Sequence, residues 1–549
     1  MNLKHQVHMA IVLPAIAALA ACGGSSSNNN AQTCPETVGN LAVTEIAADQ
    51  CQVGGTLVED ATLAANVTWF LEGRLQVGDN GVPTTLDIDA GTQIRGDGTD
   101  HVLVYPGSAL QANGTGANPV QFLSDDDGVD GSGEWGGVFL RGFNGLPTLT
   151  GTQGANDLDY VVVAEAGASV SITIDGGTVT YQDNIVLNGV DSNTTLTFVQ
   201  SHNSARDGFH ILNGDPRMSW LLATGSARDG VWYRDFNGLI KDLMVIHNQD
   251  SDGSTGRSGI YASESTPGNG DGDSNPRIVN ATLVGRDTTT VAASADTTAN
   301  EFGILFADNS DQIRMANVLI ANFRNGCFEA DENANLSGID TSIPGPTYLD
   351  GVHCANETGA LPGEFGIVRA TSTGFPNNTV ATPNSPNADG IVYYNGTAGE
   401  IGTTGVAGNQ GNFNPAAGGI NFTGEIADRS GNFTAGWYLD NLRGIGNGLV
   451  ANSNFLNGFL DGNTNIQGAD GSLTPMVAAN NVVDASDTNS PFIINGNNAF
   501  NLDVADDTGG YDMTHVGAVR SGNPANASQF DGWTVATGDN DGFAVQQVQ

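Results

Sequence analysis

The chain has 549 residues, and its 60 Asp and Glu face only 18 Lys and Arg, a formal charge of −42. Such a surface repels nucleic-acid phosphates and anionic lipid, which argues against nucleic acid as a partner. With 39% hydrophobic residues in a regular pattern, the chain is not disordered, and its length supports a large core.

At the N-terminus, Lys4 precedes an apolar run, Met9–Ala21. The run is too short for a confident membrane span and reads as the apolar part of a signal peptide. It ends Leu19-Ala20-Ala21-Cys22, which resembles the lipobox of bacterial lipoproteins. That resemblance implies a signal over residues 1–22, with Cys22 as the lipid-modified residue and the protein anchored to a membrane rather than spanning it. Gly23 in place of Asp after the cysteine implies the outer membrane and a surface-exposed position. An ordinary secretory signal is the alternative. Residues 23–33 have linker composition.

Four further cysteines, Cys34, Cys51, Cys327 and Cys354, suit an oxidising compartment. Proximity favours Cys34–Cys51 and Cys327–Cys354 among the three pairings, with free buried thiols as the alternative. Neither pair has zinc-site spacing.

From residue 34 to 125, short β-rich runs alternate with Gly, Asn and Asp turns, and no long stretch has a helical period. The choice between a sandwich and a solenoid turns on residues 196–248. SARDG occurs at Ser204–Gly208 and again at Ser226–Gly230, 22 residues on. Phe198 then falls on Trp220, Val199 on Leu221, Phe209 on Val231 and Ile211 on Tyr233. Stacked coils of a parallel β-helix repeat in this way, and strands of a sandwich do not. Further rungs are expected at Gly259, Gly303, Gly326, Gly366 and Gly390, with insertions at 285–300 and 331–363. Asn203, Asn248, Asn280 and Asn317 stand at turn-like places where stacked asparagines can close a corner, as in the asparagine ladders of pectate-lyase-type helices.

The segment GEWGGVFLRG (Gly133–Gly142), preceded by GSALQANGTGANPVQFLS, resembles bacterial secreted proteins and lipoproteins with right-handed parallel β-helix folds. Tyr511, VGAV at Val516–Val519 and DGWT at Asp531–Thr534 extend the resemblance to the C-terminus. It implies an all-β solenoid over residues 34–549, a single domain with loop insertions and a C-terminal cap from about residue 500. The motifs identify an architecture and carry no activity.

Two groups of residues are candidates for chemistry. The first is the repeated Arg206-Asp207 and Arg228-Asp229, with His202 and His247 on a neighbouring line. A polysaccharide lyase needs a base for the proton α to a uronate carboxylate, and cations to neutralise that carboxylate. Trp220, Trp232 and Tyr233 would stack on sugars if exposed. The competing explanation is charge satisfaction at a turn, with the tryptophans in the core. The second is Asp125, Asp126, Asp127 and Asp130 with Glu134, whose oxygens suit Ca²⁺ or form a solvated acidic loop. No G-x-S-x-G elbow is present, and Gly96–Asp100 lacks the Lys-Ser/Thr of a phosphate loop.

The expected protein is a lipid-anchored surface rod that binds or organises extracellular material, with carbohydrate and calcium as ligands. An adhesin or self-assembling surface layer falls within that expectation. The alternatives are a polysaccharide lyase or hydrolase acting on an acidic glycan, and a lipoprotein partner of an outer-membrane transporter.

Overall fold

The computed structural model describes residues 34–126 and 131–247. Beyond them it describes 258–264, 274–285, 302–307, 313–321, 323 and 326–330. It also describes the strands Thr347–Ala355, Ile367–Ala370, Ile391–Tyr393, Phe422–Thr423, Asn465–Gln467 and Leu473–Pro475, and the single residues Ala518 and Thr534. The signal, Cys22, the linker, Asn248, Asp127 and Asp130 lie outside the described residues.

Parallel pairing winds the chain into a right-handed β-helix with three faces per coil. Face A stacks Thr85–Ile88, Ala109–Asn113 and the first halves of Asp157–Ala164, Thr195–His202, Arg217–Thr224 and Leu239–Ile246. Face B stacks Gln93–Gly96, Val120–Ser124 and the second halves of those long strands. Face C runs from His101–Val104 through Gly137–Arg141, Ile185–Asn188, Phe209–Gly214 and Val231–Phe236 to Ile260–Ser263 and Phe302–Phe306.

Every second strand residue points inward and lands on its counterpart one coil away, so like stacks on like. Leu158, Leu196, Met218, Ile240 and Ile278 form one buried column. Ile185, Phe209, Val231, Ile260 and Ile304 form another. The pairings expected from the repeat, Val199 with Leu221, Phe209 with Val231 and Ile211 with Tyr233, are those observed.

Each corner uses left-handed backbone. Between faces A and B stand Tyr160, Phe198, Trp220, Asp242 and Asn280, all with φ between 50° and 57°. Between C and A stand Gly189, Asn213 and Asp235, and after face B stand Glu165, Asn203 and Gly225. Non-glycine residues there cost about 1 kcal/mol each, which packing must offset. Asn203 and Asn280 thus close corners, as expected, but different ones. Asn280 donates to Asp242 Oδ1 at 3.1 Å.

The N-terminal coil is closed by Thr44–Ala47, antiparallel to Gln50–Leu57, and tied by the expected Cys34–Cys51 disulfide, Cα–Cα 5.6 Å. Cys327 and Cys354 lie in strands on different faces, and their side chains lie outside the described residues.

Three expectations about the later coils need correction. Gly326 pairs with Phe302 rather than Gly303, a register one residue longer than the glycine spacing suggests. Residues 391–393 are not a further rung, because Ile391–Tyr393 runs antiparallel to Ile367–Ala370. Thr347–Ala355, inside the expected insertion, is a regular long strand paired with Ile313–Ala321. Ala518, in VGAV, is buried and donates its N–H to Thr282 Oγ1 at 2.9 Å. Apart from Ala518 and Thr534, the expected cap from about residue 500 lies outside the described residues.

Candidate functional site at the B–C corner

The SARDG repeat forms the corner between faces B and C. The register of Ile185, Phe209 and Val231 puts Asp183, Asp207 and Asp229 at the same corner position of three successive coils. Each carboxylate binds the next coil. Asp183 Oδ1 accepts the Asp207 N–H at 3.1 Å, Asp207 Oδ1 accepts the Asp229 N–H at 3.1 Å, and Asp229 Oδ1 accepts the Ser258 N–H at 2.8 Å. Buried backbone N–H groups leaving a strand need such acceptors. Ser204 Oγ donates to the Asp207 carbonyl at 2.6 Å. The glycine of the motif allows close stacking: a Cβ on Gly208 would lie 2.8 Å from the Gly230 carbonyl oxygen, and one on Gly230 would lie 2.2 Å from Val245 Cγ1.

The second carboxylate oxygen of each aspartate faces a side chain. Asp183 Oδ2 lies 2.6 Å from His210 Nδ1. Arg228 spans Asp207, with Nε on Oδ1 at 2.7 Å and Nη2 on Oδ2, and its Nε lies 3.1 Å from Asp229 Oδ2. Burial, the largest single influence, pushes Asp183 up, but His210, the Asp207 N–H and Arg206 together outweigh it and hold the carboxyl below its ordinary value. Burial and the charge of Asp183 push Asp207 up against the pull of Arg228. Burial, then Asp207, pushes Asp229 up to about 8. Burial opposes the charge on Arg228, but Asp207 and Asp229 reverse this and raise it.

Among the described residues, Asp183, Asp207 and His210 form the group whose donor atoms lie within 4.8 Å of one another. The guanidinium of Arg228 already covers both Asp207 oxygens, and His210 covers Asp183. These residues therefore fit an ion-pair network better than a metal centre.

The residues singled out from sequence separate. Arg206 is half-buried beside Asp183, whose carboxyl its charge helps to hold down. His202 pairs in register with Thr224, and its Nδ1 lies 2.6 Å from Thr224 Oγ1. His247 falls one residue past that line, since Thr224 pairs with Ile246, and its Nε2 lies 2.9 Å from the Ser258 carbonyl. Both imidazoles are fully buried, and burial lowers His202 to about 3.

The aromatic residues separate too. Tyr233 points into the core, edge-on to Phe236, with no open face for a sugar. Trp220 stacks at 5.8 Å on Phe198, which stacks at 4.3 Å on Tyr160, so the A–B corner takes up one of its faces. Trp232 lies on the outer side of face C, between His210 at 4.4 Å and Tyr261 at 5.8 Å, with Arg234 5.1 Å from its ring centre.

The acidic loop divides in the same way. The Asp125 N–H continues face B onto the Gly96 carbonyl, and Arg95 binds the Asp126 carbonyl at 3.0 Å. The Glu134 N–H joins the coil at the Glu165 carbonyl. Among the described residues, Asp125, Asp126 and Glu134 do not converge as a ligand set.

Sequence reading missed Asp183 and His210. The signal for Asp183 was present: Gln182-Asp183-Asn184 before Ile185 mirrors Arg206-Asp207-Gly208 before Phe209. The hairpin Val170–Ile174 and Gly177–Tyr181, inserted just upstream, lengthens that coil and hides the repeat. It lays Ile172, Ile174 and Tyr181 over Leu103, Phe139 and Val186 on the outer side of face C.

The three-faced coil and its repeated corner define a pectate-lyase-like solenoid. The family model of the pectate-lyase like beta helix domain matches residues 55–345, more than half of the chain, and the chain belongs to that family. No curated protein and no solved structure matches it.

Proposed function

We propose that the chain is a lipid-anchored cell-surface β-helix protein that engages extracellular carbohydrate through its B–C corner. The observation that carries this reading is a concentration of cations. Arg206, Arg228 and Arg234, three of only 18 Lys and Arg, stand on two successive coils, with Arg228 paired to Asp207 and Asp229 and Arg234 5.1 Å from the Trp232 ring centre. In a chain of net charge −42, this corner is where an acidic glycan would meet positive charge. Calcium bridging the remaining acidic surface to the glycan would assist. The Leu19–Cys22 segment supplies the anchor and the outer-membrane address.

A second reading adds chemistry, a polysaccharide lyase or hydrolase, and the Asp183–His210 pair favours it. Hydrolysis requires carboxyl groups at the sugar. Asp183 and Asp207 have no exposed surface, so elimination suits this corner better. The other uses of such a rod are self-assembly into a surface layer and association with an outer-membrane transporter.

The test uses the detergent-solubilised full-length protein with a panel of acidic and neutral polysaccharides, in calcium and in chelator. Binding of an acidic glycan that weakens in Arg206→Gln supports the proposal, and absence of binding to every glycan overturns it. Cys22→Ser should release the protein from the outer membrane of intact cells.

A further inference from the structure

We propose that the outer side of face A is a self-association surface, on which two copies of the chain pair face to face with their rods antiparallel. The inference rests on the self-assembly reading and gives it a surface. The glycan reading at the B–C corner stands apart from it.

The three faces differ in what covers them. On the outer side of face B, Val162, Gln200, Leu222 and Met244 have no exposed surface. On face C the hairpin covers Leu103, Phe139 and Val186. On face A every outward position from Thr85 to Arg277 is exposed or half-buried, and Val279 is buried. Register sorts these positions into columns, with successive coils ~4.8 Å apart.

Charge divides the face in two. The coils from Thr85–Ile88 to Thr195–His202 carry Asp87, Asp157 and Asp159 there and no cation. The coils from Arg217–Thr224 to Ile313–Ala321 carry Arg217, Lys241, Arg277 and Arg314 there and no carboxylate. Asp157 and Asp159 share one coil, and the adjoining positions hold Gln111, Asn113, Thr195 and Thr197. Burial, then the charge of Asp157, pushes the Asp159 carboxyl up.

A face can meet itself about a two-fold axis in two ways. With rods parallel, acid meets acid and base meets base. With rods antiparallel, about an axis between the Thr195 and Arg217 coils, each column faces itself reversed. Asp159 then opposes Lys241 of the second copy, Asp87 opposes Arg314, and Thr197 opposes Ser219. Each opposition occurs twice. Facing sheets stand ~10 Å apart, a gap that an acidic and a basic side chain together bridge. The face measures ~13 Å by ~38 Å, roughly 500 Å² per copy, at the low end for a specific interface. The net charge of −42 adds long-range repulsion between any two copies. The pair is therefore weak, and its charge pattern sets its orientation. Being two-fold, it closes as a dimer rather than growing into a layer.

The test is sedimentation equilibrium of the full-length protein in density-matched detergent at about 0.15 M salt. Asp159→Lys and Lys241→Glu each place like charges opposite one another twice, and each should weaken dimerisation at least ~10-fold. Mixing the two variants brings opposite charges together again and should restore the dimer, as should combining both substitutions in one chain. Recovery in the mixture also shows that both variants are folded. Asp87→Arg and Arg314→Glu repeat the test at the ends of the face. Glycan binding should stay at the wild-type level throughout. If wild type dimerises and the swaps leave it unchanged, or folded variants fail to recover on mixing, face A is overturned and self-assembly through another surface stands. If wild type remains monomeric up to about 1 mM, both fall.

Discussion

The A–B and B–C corners of the rod repeat on the same coils but solve the turn differently. At the A–B corner a single left-handed residue per coil suffices, and Tyr160, Phe198 and Trp220 stack into a column. At the B–C corner the chain takes several residues to turn, exposes backbone donors and covers them with buried aspartates. The wider corner admits additions: the hairpin Val170–Tyr181 leaves and returns there, and so does the acidic stretch after Ser124. A tight corner of one residue leaves no room for additions. A wide polar one can be modified one coil at a time, and His210 on Asp183 is such a modification.

The largest expected effect comes from breaking the charged corner. Asp207→Ala removes the acceptor for the Asp229 N–H and leaves Arg228 without its main partner. Stranding one member of a buried ion pair costs about 3–5 kcal/mol. Asp207→Asn keeps an acceptor oxygen and should cost less. Denaturant unfolding of both variants checks the order, and equal losses would mean that the oxygen accepting the Asp229 N–H contributes nothing beyond the charge lost beside Arg228. Reducing Cys34–Cys51, which closes a 17-residue loop, should cost on the order of 3 kcal/mol in the loop-entropy model. That loss should be confined to the N-terminal coil, with amide exchange at Val231–Phe236 unchanged.

The two corners should also differ in pH response between about pH 4 and 8, because the B–C corner holds Asp229. Between the ordinary carboxylate value of 3.8 and about 8, folded Asp229 keeps a proton that the unfolded chain has released. Raising pH through that window therefore removes stability. His202, lowered to about 3 by burial, acts in the opposite sense. The unfolded chain takes up its proton below 6.5 while the folded chain does not, so acid destabilises over that range. The interval from pH 6.5 to 8 isolates Asp229 from His202. Asp229→Asn should flatten the fall in stability there, and an unchanged slope would remove Asp229 as its source.

The fold was legible because two adjacent coils are free of insertions. The 22-residue offset of SARDG carries over directly into the observed pairing, and the inward columns follow from it. Where coils differ in length, the same logic slipped. Gly303 and Gly326 are one residue out of register, and His247 lies one past the His202 line. Asp183 was hidden by the hairpin before it. His210 was hidden because its partner stands one coil back, 27 residues away, with no repeated motif to mark it. Burial was the other unseen quantity. Nothing in the sequence shows that Tyr233, inside the core, and Trp232, on the outer side of face C, are both buried.

The smallest expected effect tests whether the A–B corner is only structural. Trp220 holds a left-handed conformation and stacks on Phe198. Trp220→Leu keeps the backbone strain and loses the aromatic stacking, a cost of about 1 kcal/mol beyond the lost area. Trp220→Asn also loses the stack, but asparagine tolerates this conformation, as Asn280 does at the same corner. The asparagine variant should therefore recover part of its packing loss through relief of strain, and both variants should bind glycan as wild type does. A loss of glycan binding in Trp220→Leu, with unfolding otherwise unchanged, would make the aromatic column a binding surface and erase the functional difference between the two corners.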